Sequence, residues 1–453
     1  MNNNLKVIIL AAGQGTRMKS KVPKVLHKVL DKTMLDYVID VSLKAGAEDI
    51  CCVVGHKSML VKKMIGDRVK YALQKEQLGT GHAVKQAEDF IGDEGSVMVL
   101  CGDTPLVKAE TIEKIASYHA ESGNGATVVS FIKDEPFGYG RIIRDENSGF
   151  LKIVEQKDGS ESELAVKEVN SGVYVFEAKA LKKALSELNC GNAQGEYYLT
   201  DVPELIVKDG DKAGVFTADD EMEFLGVNSK LDLSVVTKAL VKRINEKHML
   251  NGVTITNPEN TYIGQDVVIE ADTLILPGTV LEGKTSIGTD CVIGPNTQIV
   301  SSEIKDGVNI KISVLMNCRV DNYTTVGPFA YLRPGANVGE HVRIGGFVEI
   351  KNSNIDDGTK VSHLTYVGDS DVGKNVNFGC GTVTANYDGV HKYRTTINDN
   401  AFIGCNTNLV APVTVGEGAV TAAGSTINKD VPAHALSIAR KRQVNIDDWT
   451  DKK

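Results

Sequence analysis

The chain has 453 residues, 42% of them hydrophobic and 24% charged, with a formal net charge of −9. That length exceeds one ordinary core and calls for two or three domains, and the negative balance argues against nonspecific nucleic-acid binding, which needs a cationic surface. No apolar run reaches membrane-spanning length, the start Met1-Asn2-Asn3-Asn4 is not a signal peptide, and the eight scattered cysteines form no CxxC pair, so a cytoplasmic protein without a zinc site, a disulfide framework or a membrane partner is expected.

Residues 5–10 read as a short buried strand, followed by Leu10-Ala11-Ala12-Gly13-Gln14-Gly15-Thr16-Arg17-Met18. Two glycines behind a strand let backbone N–H groups approach a phosphate. The run lacks the Gly-Lys-Ser/Thr ending of a Walker loop and the third Gly of the dinucleotide fingerprint. Arg17 and, after Pro23, Lys24 add two cations that can meet phosphates. Alternation then continues with a helix at 34–45, a strand at 50–54, a helix at 81–91 and a strand at 97–101, an α/β pattern. The last strand ends in Gly102-Asp103-Thr104-Pro105. A carboxylate just past a central strand sits where open α/β sheets bind ligands. Asp103 there is either a Mg²⁺ ligand serving a triphosphate or a cap of the next helix.

The phrase LAAGxGTRM followed by PK resembles the signature of sugar-nucleotide pyrophosphorylases, which implies a Rossmann-like nucleotidyltransferase domain. Gln74-Lys75-Glu76-Gln77-Leu78-Gly79-Thr80-Gly81-His82 resembles the uracil-reading loop of one branch of that family. Phe137-Gly138-Tyr139-Gly140-Arg141, Glu155, Asn170 within Val169-Asn170-Ser171-Gly172, and Gly195-Glu196-Tyr197-Tyr198-Leu199-Thr200-Asp201 resemble its sugar-binding segments. Gly226-Val227-Asn228 resembles the segment whose Asn is a second metal ligand beside Asp103. The resemblance implies a nucleotide-sugar site of Leu10, Ala11, Ala12, Gly13, Lys24, Gln74, Gly79, Thr80, Gly140, Glu155, Asn170 and Asn228. Read alone, Asn170 is a turn former or a ligand, and His82 is a surface helix residue without a role.

Residues 229–250 contain no Gly or Pro, and Leu233, Val236, Leu240 and Ile244 form one apolar stripe. This predicts an amphipathic helix of about 30 Å, stopped near Asn251-Gly252, a rigid connector between domains. Beyond it one aliphatic residue returns every sixth position. Ile263, Ile269, Ile275, Leu281, Ile287, Ile293 and Ile299 open the ladder, and after a slip of one it reads Ile304, Ile310, Met316. Val320 to Ile350, then Ile355, Val361, Val367, then Val372, Phe378, Thr384 follow, and Ile397 to Ile427 close it in sixes. Neither the helical nor the strand period produces this spacing. It predicts a parallel β-helix of triangular coils, stable only as a stack. The pattern resembles the hexapeptide-repeat β-helix of bacterial acyltransferases, and its left-handedness is implied by that resemblance.

The longest gap in the ladder, 385–396, is a loop leaving a regular scaffold, where binding commonly sits. Arg333, Lys351, Lys392 and Arg440 could clamp a phosphate or be ordinary corner residues. His363, two residues after ladder Val361, is either a solvated corner or a base of the right acidity for an amine's proton. Glu349, fourteen residues earlier, is placed to stack beside His363 and orient it.

From Val7 to Arg440 the chain resembles the family of bifunctional N-acetylglucosamine-1-phosphate uridylyltransferases/glucosamine-1-phosphate N-acetyltransferases. The resemblance implies His363 as acetyl-transfer base, and Arg17 and Lys24 as the cations of uridylyl transfer. It places Arg333, Lys351, Tyr366, Asn377 and Lys392 on the amino-sugar phosphate. It lines the acetyl-coenzyme A site with Cys380, Asn386, Tyr387, Cys405, Ala423 and Arg440. Cys380 and Cys405 stand where the family pattern has Ala and Ser, and a thiol is a weaker donor than a hydroxyl. Mg²⁺ as cofactor, UTP, acetyl-coenzyme A, glucosamine 1-phosphate and N-acetylglucosamine 1-phosphate as substrates, and a homotrimer with shared sites are implied with it. The expected domains are 1–228, a linker helix at 229–251, and 252–453. The rival readings are a nucleotidyltransferase whose β-helix only assembles or regulates it, and a scaffold with degenerate sites.

Overall fold

Lys6–Ala11 is apolar on both faces, as a strand covered by helices on both sides must be, and in the computed structural model it lies at the heart of a mixed sheet. The structure describes residues 5–450, so the start Met1 to Asn4 read above lies outside the described residues. Lys6–Ala11 runs parallel to Asp49–Val54 on one side and Ser96–Cys101 on the other. Lys70–Leu73 extends the parallel side. Glu168–Glu177 adds antiparallel to Ser96–Cys101, followed by Ala126–Ile132 and Ala213–Thr217. Val7 and Ile9 pack into one core layer and Ile8 into the other, all without exposure. Helix Met34–Lys44 starts at a capping box in which Thr33 and Asp36 satisfy each other's backbone N–H. The parallel strands all end toward the same edge, so the segments after Ala11, Val54, Leu73 and Cys101 emerge there together. The single helix expected over 81–91 is two short ones, Thr80–Lys85 and Glu88–Ile91. Ala87 between them leaves the helical region (φ −100, ψ 20).

The chain divides into two compact units, the first ending at Ala239 and the second beginning at Leu240, inside the helix Lys230–Leu250. Val236, Leu240, Val241 and Ile244 are buried along that helix, and Leu233 is half-buried. The helix ends where Gly252 turns at φ 94, and the Val253 N–H donates back to the His248 carbonyl at 3.1 Å. Within the second unit, the fully buried Asn245 amide donates to the Pro258 and Thr261 carbonyls at 2.8 and 3.0 Å, tying the helix to the first turn of the repeat.

The second unit is a left-handed parallel β-helix, with three parallel sheets of eleven, ten and nine short strands among the described residues. Ladder residues stack inside it, as in the rungs Ile275, Ile293, Ile310, Val326, Ile344, Val361 and Phe378 of the first face. One ladder position differs from expectation. Leu315, not Met316, points inward: Leu315 is unexposed and pairs with Ile299, whereas Met316 is half-buried and pairs with Val300. Two successive five-residue steps, Ile310 to Leu315 to Val320, replace the expected six and four. Corner positions carry buried Thr side chains that donate to backbone carbonyls, such as Thr279 to Leu276 and Thr324 to Gly339, each at 2.7 Å. These bonds satisfy polar groups that a dry corner would otherwise strand.

The shifted ladder position makes a direct prediction. Leu315→Ala should destabilise the second unit by about 2–5 kcal/mol, the range for a buried Leu, and Met316→Ala by less than about 1 kcal/mol. Chemical denaturation of both variants checks this, and equal losses would restore Met316 to the ladder.

Candidate active sites

In the first unit a cavity of about 280 Å³ opens at the strand ends. It is lined by Leu10, Ala11, Ala12, Gly13, Lys24, Gln74, Gly79, Thr80 and Asp103. All are residues expected there, and Glu196 joins them. Gly15 is in the left-handed region (φ 64), and a Cβ on it would lie 2.6 Å from the Cβ of Lys24, so the second glycine of the loop makes room for the lysine. Gly79 (φ 113) is needed for the same kind of reason: a Cβ would lie 2.5 Å from the Tyr197 carbonyl oxygen. Backbone bonds between Tyr197 and both Leu78 and Gly81, each 2.8 Å, hold the 74–82 loop against the 195–201 segment.

Four side chains converge beside the cavity, two of them, Lys24 and Asp103, lining it. The Lys24 ammonium pairs with the Asp103 carboxylate and lies 3.1 Å from Asn228 Oδ1, and Arg17 Nη2 donates to the same Asn228 oxygen at 2.9 Å. The Val227 N–H donates to the Asp103 carbonyl at 3.0 Å, which fixes the two oxygen-bearing segments together. Asp103 and Asn228 therefore present two hard oxygens to one cationic point. That donor set fits Mg²⁺, which takes one or two protein oxygens and fills its remaining positions with water and phosphate. Among the described residues no group of three or more His, Cys, Asp or Glu side chains could hold a metal ion.

Gln74 is buried, and its amide nitrogen donates to the Gly79 carbonyl at 3.1 Å and faces His82 Nδ1 at 3.1 Å. His82, given no role by its sequence position, therefore orients the residue expected to read the base. Only its contact with a residue eight positions earlier reveals this.

A second cluster holds the expected sugar residues. A Cβ on Gly140 would lie 3.5 Å from Glu155 Oε1 and 3.6 Å from the Asn170 Cβ, so the three are neighbours. Asn170 donates to the Tyr174 hydroxyl at 2.6 Å and accepts from the Gly172 N–H at 3.1 Å, which makes it the turn former of a strand irregularity. Burial holds the Glu155 carboxyl above the usual carboxylate range, with Asp158 and Asp201 adding repulsion. Burial, with Glu204 and Asp158, pushes Asp201 up to about 6.

In the second unit the register moves one expected contact. Glu349 pairs with Tyr366, and Gly346 with His363. The coil is seventeen residues long here, so fourteen residues back from His363 lies on a different face. The Glu349 carboxylate instead accepts from Arg333 Nη1 at 2.8 Å, so it positions Arg333 rather than His363. Lys351 lies two residues along the same strand as Glu349, its ammonium 2.9 and 3.1 Å from the Asp369 carboxylate. Asp369 is only 4% exposed and also accepts from Asn352 at 2.6 Å and from Asn386. Burial opposes its ionisation, but these donors and Lys351 outweigh it and hold the carboxyl below the usual range. Sequence reading missed Asp369, because its partners lie one coil away.

Asn386, expected on a loop reaching outward, is nearly buried and anchored on Asp369, so it roots the loop. Tyr387 and Lys392 form an isolated antiparallel bridge further along it. His363 ends the first face, beside a groove of about 620 Å³ also lined by Lys311, Thr325, Arg343 and Ser362. Asn377 points outward on the same face. A Cβ on Gly424, the residue after Ala423, would lie 3.8 Å from Arg440, which brings these two expected residues together.

A nucleotidyl transferase family model matches residues 6–228, and a bacterial transferase hexapeptide model matches residues 266–301 and 394–429. Curated relatives extend the match to the whole chain. The bifunctional protein GlmU of Clostridioides difficile is 53% identical, over 99% of this chain and 98% of its own length. That of Caldanaerobacter subterraneus subsp. tengcongensis is 54% identical over 98% and 97%, and that of Brevibacillus brevis 51% over 99% and 98%. The chain belongs to the GlmU family. GlmU membership makes it a bifunctional transferase, a uridylyltransferase and an acetyltransferase in one polypeptide. Among its described residues no helix is long and apolar enough to cross a membrane.

The raised Asp201 gives a pH prediction. Its folded-state value of about 6 exceeds the unfolded one of about 3.9, so the folded state binds more protons between them and stability falls as pH rises through that window. Asp201→Asn should therefore melt above the parent at about pH 7.5, and the gap should close toward about pH 3, below both values, where both states carry protonated Asp201. Thermal melts at the two pH values check it.

Proposed function

We propose that the two activities occupy the two clusters just described, and the convergence of Arg17, Lys24, Asp103 and Asn228, two of which line the cavity of about 280 Å³, carries the first assignment. In residues 1–228 the Leu10–Gly13 backbone and Lys24 hold the UTP phosphates, and Gln74, Gly79 and Thr80 read the uracil edge. Gly140, Glu155 and Asn170 hold N-acetylglucosamine 1-phosphate. A phosphate oxygen of that sugar attacks the α-phosphorus in line while Arg17 and Lys24 offset the growing charge, and pyrophosphate leaves. Mg²⁺ on Asp103 and Asn228 supplies further neutralisation of the triphosphate when bound.

In residues 252–453 His363 accepts a proton from the amine of glucosamine 1-phosphate, which then attacks the acetyl-coenzyme A thioester. Arg333, Lys351, Tyr366, Asn377 and Lys392 clamp the sugar phosphate, with Glu349 and Asp369 positioning Arg333 and Lys351. Cys380, Asn386, Tyr387, Cys405, Ala423 and Arg440 line the coenzyme A site. The product of this step is the acceptor of the other, giving UDP-N-acetylglucosamine in the cytoplasm for cell-envelope polysaccharides.

A homotrimer fits the exposed surface of the β-helix. Phe329 and Phe347 stack 5.1 Å apart while 53% and 65% exposed, and Leu364 beside them is 60% exposed. Such a stripe calls for cover. Lys351 and Tyr366 of the sugar clamp also lie on a different face of one chain from His363 and Asn377, which favours a site completed by a neighbour. Phe347→Asp should convert a trimer to monomers by sedimentation, and an unchanged mass would remove this corner from the interface.

Asp103→Ala should lower uridylyl transfer by at least about 10²-fold and leave acetyl transfer intact. His363→Ala should do the converse, with a loss of roughly 10²–10⁴-fold in acetyl transfer that shrinks at high pH, where the amine is already deprotonated. Product assays by mass spectrometry with UTP, Mg²⁺, acetyl-coenzyme A and glucosamine 1-phosphate check both. Normal activity in either variant removes its assignment.

A further inference from the structure

One corner of the β-helix stacks reactive side chains in a single column. The register pairs Gly346 with His363, Val361 with Phe378, and Phe378 with Ile403. Two residues further along these ladders, Cys380 lies over His363 and Cys405 over Cys380. Backbone bonds past the column fix this alignment. Gly381 donates to the Leu364 carbonyl at 3.0 Å, Asn406 to the Cys380 carbonyl at 2.8 Å, and Gly424 to the Cys405 carbonyl at 2.8 Å. A Cβ on Gly379 would collide with the Cys405 backbone, which shows how closely the two coils lie. Successive parallel rungs are about 4.8 Å apart, inside the Cα–Cα window of about 4.4–6.8 Å that a disulfide spans.

Both thiols are free and exposed, whereas Cys51, Cys52, Cys291 and Cys318 are buried. An exposed thiol beside an imidazole that can take its proton is the setting in which a cysteine reacts. We infer that Cys380 and Cys405 form a dithiol site that a hydroperoxide oxidises reversibly to a disulfide, closing the acetyl-transfer site. The Cys380 thiolate, its proton passed to His363, attacks the peroxide oxygen to give a sulfenic acid and release water or the alcohol. The Cys405 thiol then displaces the sulfenic oxygen as water and forms the S–S bond. Two thiol hydrogens and two electrons leave the protein, and the hydroperoxide takes them up. The disulfide rests on the register alone. The closing rests on the placement of acetyl-coenzyme A in the proposed function.

The test treats the full chain with hydrogen peroxide, alkylates the remaining thiols, and maps peptides by mass spectrometry alongside both transfer assays. The expected result is a joined pair of peptides carrying Cys380 and Cys405, two hydrogens lighter than their sum. Acetyl transfer should fall by about tenfold or more and return with dithiothreitol, and uridylyl transfer should hold. Cys380→Ala should yield no joined peptide and should keep the acetyl-transfer rate of its own untreated sample. Both thiols still alkylated at peroxide doses that oxidise the exposed Cys190 would overturn the pair. A joined peptide with undiminished acetyl transfer would overturn the closing. Untreated protein lacking acetyl transfer would overturn the functional reading alone, because the joined peptide still decides the pair.

Discussion

One inward aliphatic side chain per short strand holds the second unit in register, and everything chemical on that unit is placed by it. Each such residue contributes roughly 1.5–3 kcal/mol of burial, but only when coils above and below cover it. The stack therefore cannot slip by one residue without turning ladder residues outward. Outward residues inherit that rigidity. His363, Cys380 and Cys405 form a column because Val361, Phe378 and Ile403 do, and Arg333 meets Glu349 because Leu332 stacks on Ile350. Outward positions are free to vary, since the column inside supplies the stability.

The same rigidity explains what could be read from sequence. The period of six has no rival in helices or strands, so the β-helix was legible, including nearly all its inward residues. Met316 was misplaced because two apolar residues stand side by side, Leu315 and Met316, and only the partner rung Ile299 tells which turns in. Glu349 was misplaced because fourteen residues fall short of a full coil, which here is seventeen, and so place it on a different face from His363. In the first unit Leu10 to Gly13 and Lys24 were legible from a compact motif behind one strand and Asp103 from the end of another, whereas Gln74, Gly79 and Thr80 came only with the family resemblance. His82 and Asp369 were not, since each acts through a neighbour distant in sequence and neither belongs to a patterned run. Asn386 shows the opposite error: a position in a long loop suggested reach, and the side chain is an anchor.

Both sites use the same device, a lysine held against a carboxylate with a side-chain amide alongside. Lys24 meets Asp103 with Asn228 adjoining, and Lys351 meets Asp369 with Asn352 and Asn386 adjoining. Each lysine is thereby held in one orientation, so under the proposed phosphate roles less rotamer freedom would be lost on binding. The carboxylate also cancels part of the charge that the phosphate would seek, so the two sites must differ in how that cancellation is relieved.

At Lys24 the relief lies in the composition of the pair. Asp103 and Asn228 both offer oxygens at a partly open cavity edge, and a divalent cation taking those oxygens would free the ammonium for the phosphates. At Lys351 no such exchange is available. Asp369 is nearly buried and its oxygens are already engaged by two amides as well as the ammonium. On the proposed assignment Lys351 would share its remaining donors between Asp369 and a phosphate, with Arg333 and Lys392 completing the charge. A triphosphate accompanied by Mg²⁺ suits the first arrangement, and a single sugar phosphate without a metal suits the second. The two lysine pairs thus separate the two chemistries by the fate of the carboxylate rather than by the lysine itself.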